Sequence, residues 1–226
     1  MNYFLNKGEN ASNSCNINLV AQSDKIYIVD NHLVAFWCWL QLPSKLEYEL
    51  IHIDRHYDLV PYNEVYDSGI HNFNWENSMP EDLTSLKTVV NGFEYQIIRW
   101  DNCINLFKEI HPNFFRKTKF ITQKNGTFNY NGEYEEKEIH EIVGWCIDKT
   151  KNVILNLDID YFFTNIGDST IQKYTDSYID HVAEWVYEEY NNFTQIIFCL
   201  SPECSISWEE AKRITNIFLT KFDLKI

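Results

Sequence analysis

The residues best equipped for chemistry in this chain fall in two short runs. In His52-Ile53-Asp54-Arg55-His56-Tyr57-Asp58, Asp54, His56 and Asp58 recur at every second position, the spacing that turns side chains to one side of an extended segment. Groups of this kind aimed at one point repel each other, or are costly to strip of water, unless a cation neutralises them. Asp158-Ile159-Asp160 repeats the spacing far downstream and adds two carboxylates. Together the runs supply more ligands than one catalytic ion with open positions needs, whereas two ions sharing bridging carboxylates fit the count. An oxygen-rich, imidazole-poor set suits Mn²⁺ better than Zn²⁺. His52 is read as opposite in phase to this set: a packed histidine, or one that supports a ligand.

Both runs follow apolar strands, and the order of elements sets where they must lie. Lys25 to Val29 reads as a short buried strand, and His32 to Leu42 as an apolar helix after a turn at Asp30-Asn31. Glu47 to Ile53 is a second strand that enters the first run, with Pro61 ending regular structure beyond it. The middle is less regular, with a strand at Glu94 to Trp100 and a helix at Asn102 to Ile110. Lys119 to Gln123 and Thr127 to Tyr130, joined through Asn125-Gly126, predict a β-hairpin, read as an insertion near residues 119–131. Helical spacing returns at Glu136 to Ile147, and the apolar strand Asn152 to Leu157 runs into the second acidic run. A long helix at Ile171 to Tyr190, a strand at Gln195 to Leu200 ending at Ser201-Pro202-Glu203, and a helix at Trp208 to Phe222 complete the chain. Strands alternating with helices predict one α/β domain over residues 1–226, with a mainly parallel central sheet between two helical layers. Such sheets place their sites beyond the carboxyl ends of the strands.

Composition narrows the partners. With 226 residues, 45% of them hydrophobic, the chain can bury a core and is not disordered. Thirty-three acidic side chains against 19 basic ones give a formal charge of -14. That charge opposes nucleic acid and anionic membrane surfaces and favours cationic substrates or metal ions. The six cysteines include no C-x-x-C pair and several sit in apolar runs, so they read as reduced and structural, and a cytoplasmic setting is expected. Cys199 and Cys204 flank the Ser-Pro-Glu run without a histidine nearby in sequence, which argues against a thiol nucleophile. The polar start has no signal-like apolar core, and no segment reaches the length of a membrane span.

Asp54-Arg55-His56-Tyr57-Asp58 resembles the Asp-x-His-x-Asp motif of the arginase and agmatinase superfamily, and Leu157-Asp158-Ile159-Asp160 resembles its later Asp-x-Asp motif. Asp30-Asn31-His32 is similar to the segment that supplies that family's first histidine ligand. The resemblance implies a three-layer arginase-like fold and two Mn²⁺ ions per chain, held by His32, Asp54, His56, Asp58, Asp158 and Asp160. Ser68-Gly69-Ile70-His71 resembles the setting of the family's proton-shuttling histidine, which makes His71 the expected shuttle, although the setting is one residue shorter here. Glu203 matches the position of the glutamate that holds the substrate guanidinium, and Asp160 is placed to steady the tetrahedral intermediate. The Asp30-Asn31-His32 and Pro202-Glu203 variants look closest to a divergent branch that includes peptide arginases, which convert arginine side chains to ornithine and urea. Leu59-Val60-Pro61-Tyr62 after Asp58 replaces the polar loop that binds the α-groups of free arginine, so an arginine-containing peptide is the expected substrate.

Three rival readings remain. Agmatine or another guanidino compound would use the same metal site and would release urea where peptides do not. A deacetylase or other amidohydrolase on the same fold usually brings one Zn²⁺ and a His-His pair, which this chain lacks. A metal-stabilised protein that captures basic peptides without chemistry would bind them and release no urea. The exposed-looking tyrosines and tryptophans fit peptide contacts or a subunit interface equally.

Overall fold

The computed structural model describes residues 1–13, 16–61, 70 and 73–226. It is a mixed α/β structure around an eight-stranded sheet. In chain order the strands are β1 (Asn2–Asn6), β2 (Leu19–Ser23), β3 (Ile26–Val29), β4 (Tyr48–His56), β5 (Lys87–Val90), β6 (Phe93–Gln96), β7 (Phe115–Asn125), β8 (Glu133–Glu136), β9 (Val153–Asp158), β10 (Phe163–Ile166), β11 (Ser169–Gln172) and β12 (Phe193–Cys199). The central sheet runs β1-β2-β3-β12-β9-β4-β7-β8. From β3 to β8 every neighbour is parallel, and β1 and β2 add an antiparallel edge. The pairs β5-β6 and β10-β11 are separate hairpins.

Strand alternation divides the buried side chains between two cores. Tyr27, Val29, Tyr48, Leu50, Ile154, Ile197 and Cys199 face one core with helices Leu33–Leu40 and Cys103–Ile110. Ile28, Ile51, Ile53, Leu155, Leu157 and Phe198 face the other, beneath helices Asp176–Glu188 and Trp208–Thr220. Helices therefore cover both faces, and the inner strands are near-continuously apolar, as parallel strands buried on both sides must be. Helix Leu33–Leu40 is buried from Leu33 through Trp39, which explains why its sequence is apolar all round. Burying each of its large side chains contributes about 1.5–3 kcal/mol.

The sheet order creates a crevice. From β4 the chain moves on to β7 at one side, whereas from the adjacent β9 it moves on to β12 at the other. Connections leaving two neighbouring strands in opposite directions open a gap at their carboxyl ends. Both acidic runs leave the sheet at that gap.

Several sequence expectations change. Residues 119–123 belong to the eleven-residue β7, which pairs in parallel with β4 and β8, and residues 127–130 form no strand. The hairpin insertion near 119–131 is replaced by a strand of the main sheet. Asn125-Gly126 still turns, with Gly126 at φ +91°, but it turns into a loop. The strand placed at Glu94 to Trp100 shortens to β6 in a hairpin, and Ile171 lies in β11, so the following helix starts at Asp176. Glu133–Glu136 is a strand, leaving one helical turn at Ile139–Ile142. Among the described residues no helix is long and apolar enough to cross a membrane.

Candidate metal centre

The side chains that reach the crevice all come from one face of the sheet. On β4, His52 and Asp54 follow Tyr48 and Leu50 in alternation, and on β9 Asn156 and Asp158 follow Ile154, so they emerge on the side covered by helix Leu33–Leu40. Register aligns them, with His52 beside Asn156 and Asp158 beside Cys199. His32 caps the amino end of helix Leu33–Leu40 on this same side. Asn31 holds that turn: its Oδ1 accepts from Leu33 N at 3.0 Å, and its Nδ2 donates to Asn13 O and Asn16 O.

Neither acidic run stays extended to its end. β4 stops at His56, and Asp58 adopts φ +55°, a left-handed conformation that aspartate tolerates better than most residues. The turn brings Asp58 Oδ2 to 2.5 Å from His32 Nδ1. Asp160 lies on a 3₁₀ turn after β9, where its N–H donates to Asp158 Oδ1 at 3.0 Å. The chain therefore bends the last ligand of each run inward, where simple alternation predicts a straight row.

All six expected ligands line one cavity of about 300 Å³, and Glu203 lines it too. His32 Nδ1 lies 2.9 Å from Asp54 Oδ2 and 3.4 Å from Asp158 Oδ2. His56 Nδ1 lies 3.4 Å from Asp54 Oδ1 and 3.1 Å from Asp160 Oδ2. Asp54 thus serves two neighbourhoods, one around His32 and one around His56. Ligand atoms fall within 4.8 Å of each other in three sets: His32, His52 and Asp54; His32, Asp58 and Cys103; and Asp54, His56 and Asp160. His71 lies outside the described residues.

The electrostatics fit a missing cation. Asp54, Asp58, Asp158 and Asp160 are all buried, and Asp54 Oδ2 has no hydrogen-bond partner. Burial, with the Asp54 charge, pushes the Asp58 carboxyl up to about 7. Burial, then Asp160 and Asp54, pushes Asp158 well up, and Asp160 rises through burial and Asp54. For His32 burial opposes charging, but Asp58 and Asp54 outweigh it and hold the ring protonated well above its usual range. His56 likewise rises to about 11, burial being outweighed by Asp160 and Asp54. Asp54 goes the other way: burial opposes its charge, yet the His32 and His56 imidazoles beside it hold it well below the usual carboxylate range. An ion bound by these groups would compete with their protons. Carboxylates and imidazoles that share Asp54 could hold metal ions.

The structure also assembles residues that the sequence reading left out or misplaced. His52 is in phase with Asp54 and His56, because residues 52, 54 and 56 alternate together, and the expectation of opposite phase is corrected. Its Nε2 lies 3.7 Å from Asp54 Oδ2, and burial drops its pKa to about 4, so it stays neutral. The Asn156 amide sits between the two imidazoles, 2.6 Å from His32 Nε2 and 3.0 Å from His52 Nδ1, with Oδ1 unpartnered. A half-turn of that amide lets Oδ1 accept from His32 Nε2–H and frees the Nδ1 lone pair for a cation. Asn156 was legible, since Asn156, Asp158 and Asp160 share the every-second-residue spacing. Ser201, at φ +41°, donates from Oγ to Asp158 Oδ2 at 2.6 Å. The Glu203 carboxylate accepts from Ser12 N, and burial together with the Asp30 charge raises its pKa.

No protein-family model matches the chain, and no curated protein matches it.

Proposed function

We propose that the protein is a two-metal hydrolase of the arginase type, acting on arginine side chains within a peptide to give ornithine and urea. The observation that carries this reading is the sharing of Asp54 between a histidine-and-acid set at His32 and another at His56, around one cavity. His32, Asp58 and Asp158 would hold one ion, His56 and Asp160 the other, with Asp54 between them. Ions so held would supply an activated water by lowering its pKa from 15.7 towards neutrality. Mn²⁺ is the proposed metal because oxygen donors dominate. In this reading the chain takes the arginase-like arrangement of a sheet between two helical layers.

Arginine stays protonated at working pH, so a planar cation must be recognised. Glu203, oriented by the Ser12 N–H, is the carboxylate proposed to hold it through paired hydrogen bonds. Asp160, whose Oδ1 accepts from Arg55 N at 3.2 Å, is proposed to steady the tetrahedral intermediate. His71 is proposed to pass a proton to the departing amine.

Two features of the wall favour a peptide. It carries no lysine or arginine among the described residues, so the carboxylate of a free amino acid has no counter-charge there. Apart from Glu203, which is assigned to the guanidinium, its acids away from the metal set are already engaged: Arg99 binds Asp101 through Nε at 2.8 Å, and Asn18 and Leu19 donate to Asp30. Agmatine's amine therefore lacks an open acidic partner, whereas Tyr57, Leu59, Val60 and Trp100 offer an apolar wall for a side chain's methylenes. The test is urea release from Mn²⁺-loaded protein given an arginine-containing peptide, free arginine or agmatine, with mass spectrometry of the peptide. Loss of one cyanamide unit per arginine from the peptide, absent in Asp54→Asn, is expected. Turnover of small molecules alone would overturn the peptide assignment, and acetyl-lysine hydrolysis without urea would overturn the guanidine chemistry.

A further inference from the structure

The cavity's six carboxylate and imidazole ligands leave one reactive side chain beside them unused. Cys103 opens helix Cys103–Ile110 and is fully buried, and the turn before it is fixed by Asn102 Nδ2 donating to Ile97 O and Arg99 N donating to Asn102 Oδ1. Its thiol has only long contacts, 3.8 Å to Asp58 Oδ2 and 3.7 Å to Trp100 O. A sulfur held in this way makes weak hydrogen bonds, but the distance to Asp58 suits another role. Ligand bonds of about 2.3 Å to sulfur and 2.1 Å to oxygen put the two atoms about 3.6 Å apart on a tetrahedral edge. Ligand atoms from Cys103, Asp58 and His32, one from each, lie within 4.8 Å of one another. Beside them, Asp54 Oδ2 is buried without a hydrogen-bond partner, 2.9 Å from His32 Nδ1.

We propose that Cys103 is a ligand at the His32–Asp58 position, making it a mixed sulfur, nitrogen and oxygen site that selects a thiophilic divalent ion, Zn²⁺ or Fe²⁺, over Mn²⁺. On binding, the S–H bond breaks, the sulfur lone pair bonds the ion and the proton passes to solvent. The inference rests on the two-ion reading and divides it. The His56 position, with Asp54 and Asp160, offers nitrogen and oxygen alone and keeps its preference for a hard ion, while the His32 position turns soft. Neither other nearby thiol matches this arrangement. Cys199 Sγ contacts Ser201 Oγ at 3.3 Å, and Cys204 lines the cavity without joining a set of ligand atoms.

The test is a Co²⁺ titration of the metal-free full-length protein, followed by absorption. A near-ultraviolet thiolate-to-cobalt charge-transfer band is expected, lost in Cys103→Ser and kept in Cys204→Ser. Zn²⁺ affinity should fall by at least about tenfold in Cys103→Ser, with Mn²⁺ affinity at the second position unchanged. Visible cobalt bands without charge transfer, or a band that depends on Cys204, would overturn the Cys103 assignment and leave the two-ion reading standing. No cobalt binding at all would overturn both. Zinc-edge X-ray absorption on the unaltered protein needs no variant: a sulfur scatterer near about 2.3 Å is expected, and a shell of nitrogen and oxygen alone contradicts the proposal.

Discussion

The two ends of β4 bury carboxylates under opposite arrangements. At its start Glu49 is 5% exposed and is ringed by cations: Arg116 hydrogen-bonds it, Lys151 lies 3.0 Å away and Lys119 3.7 Å. At its end Asp54, Asp58, Asp158 and Asp160 are packed together, and among the described residues no lysine or arginine forms an ion pair with any of them. Among the described residues, the basic side chains that pair with them are imidazoles. Buried negative charge is tolerated when something neutralises it. The amino edge carries its own neutralisation and is finished on folding, whereas at the carboxyl edge four carboxyl groups face two protonated imidazoles, those of His32 and His56. Two divalent ions would balance four carboxylates.

The sharpest way to break this contrast is to supply and remove metal. If the carboxyl edge awaits cations, loading raises stability by about 2.7 kcal/mol when the free ion stands at a hundred times its dissociation constant. A chelator should return the melting temperature to the metal-free value. The gain must also depend on pH with a definite sign. Asp58, Asp158 and Asp160 titrate higher when folded than unfolded, so in metal-free protein their favourable contribution is present at low pH and declines as pH rises through the folded values, about 7 for Asp58. His32 and His56 are also raised, so what they contribute is full below about 6.5 and is lost through the folded value, about 11 for His56. Asp54 is depressed, and its contribution persists throughout this range. Ions compete with those protons, so the gap in melting temperature between loaded and metal-free protein should widen from pH 5 to pH 8. A gap that closes over that range would contradict metal ligation by these groups. Glu49→Gln should leave the gap untouched.

A smaller effect sharpens the comparison within the carboxyl edge. Asn156 touches two imidazoles and no cavity acid, so it acts by holding His32 in position. Replacing it by alanine should weaken ion binding about 10–100-fold, as the loss of a partner to a metal-bound histidine generally does. Isothermal titration would show this with the far-ultraviolet circular dichroism of the folded protein unchanged. Asn156→Asp, which keeps an acceptor beside Nε2–H, should restore most of the affinity. Equal losses in both variants would mean that the residue matters for packing alone.

Legibility in the sequence tracked how local each geometry is. Apolar strands running into acidic clusters placed β3, β9 and β12 within a residue or two and β4 within three, because burial on both faces leaves few alternatives. Five of the six expected ligands were legible from alternation and His32 from the resemblance of its segment, and the structure brings all six to one cavity. β7 was misread because Asn-Gly signals a turn but not which strands it joins, and pairing with β4 is a long-range choice. Asp58 and Asp160 reach the centre through a left-handed residue and a 3₁₀ turn that alternation does not encode. Cys103 had no local signal at all, since only the packing of helix Cys103–Ile110 sets it against Asp58. His52 had a signal, an even spacing from Asp54, that was assigned the wrong phase.

The smallest predicted effect is the one that compares the two edges directly, through paired neutralising substitutions. Glu49→Gln removes the buried acid that pairs with Arg116 and Lys119, so it should destabilise the protein; the cations are themselves 47% and 16% exposed, and water screening limits the loss to about 1–2 kcal/mol. Asp158→Asn removes one acid from a cluster in which four carboxyl groups face the two imidazolium charges of His32 and His56, and in metal-free protein at pH 8 it should stabilise by about 1 kcal/mol. The signs must also reverse with metal: in loaded protein Asp158→Asn loses a ligand and becomes destabilising, while Glu49→Gln costs the same in both states. Urea denaturation of the two variants, with and without ions, gives four differences. If Asp158→Asn destabilises metal-free protein as Glu49→Gln does, then the Ser201 hydroxyl and His32 already satisfy Asp158, and the carboxyl edge is as self-sufficient as the amino edge.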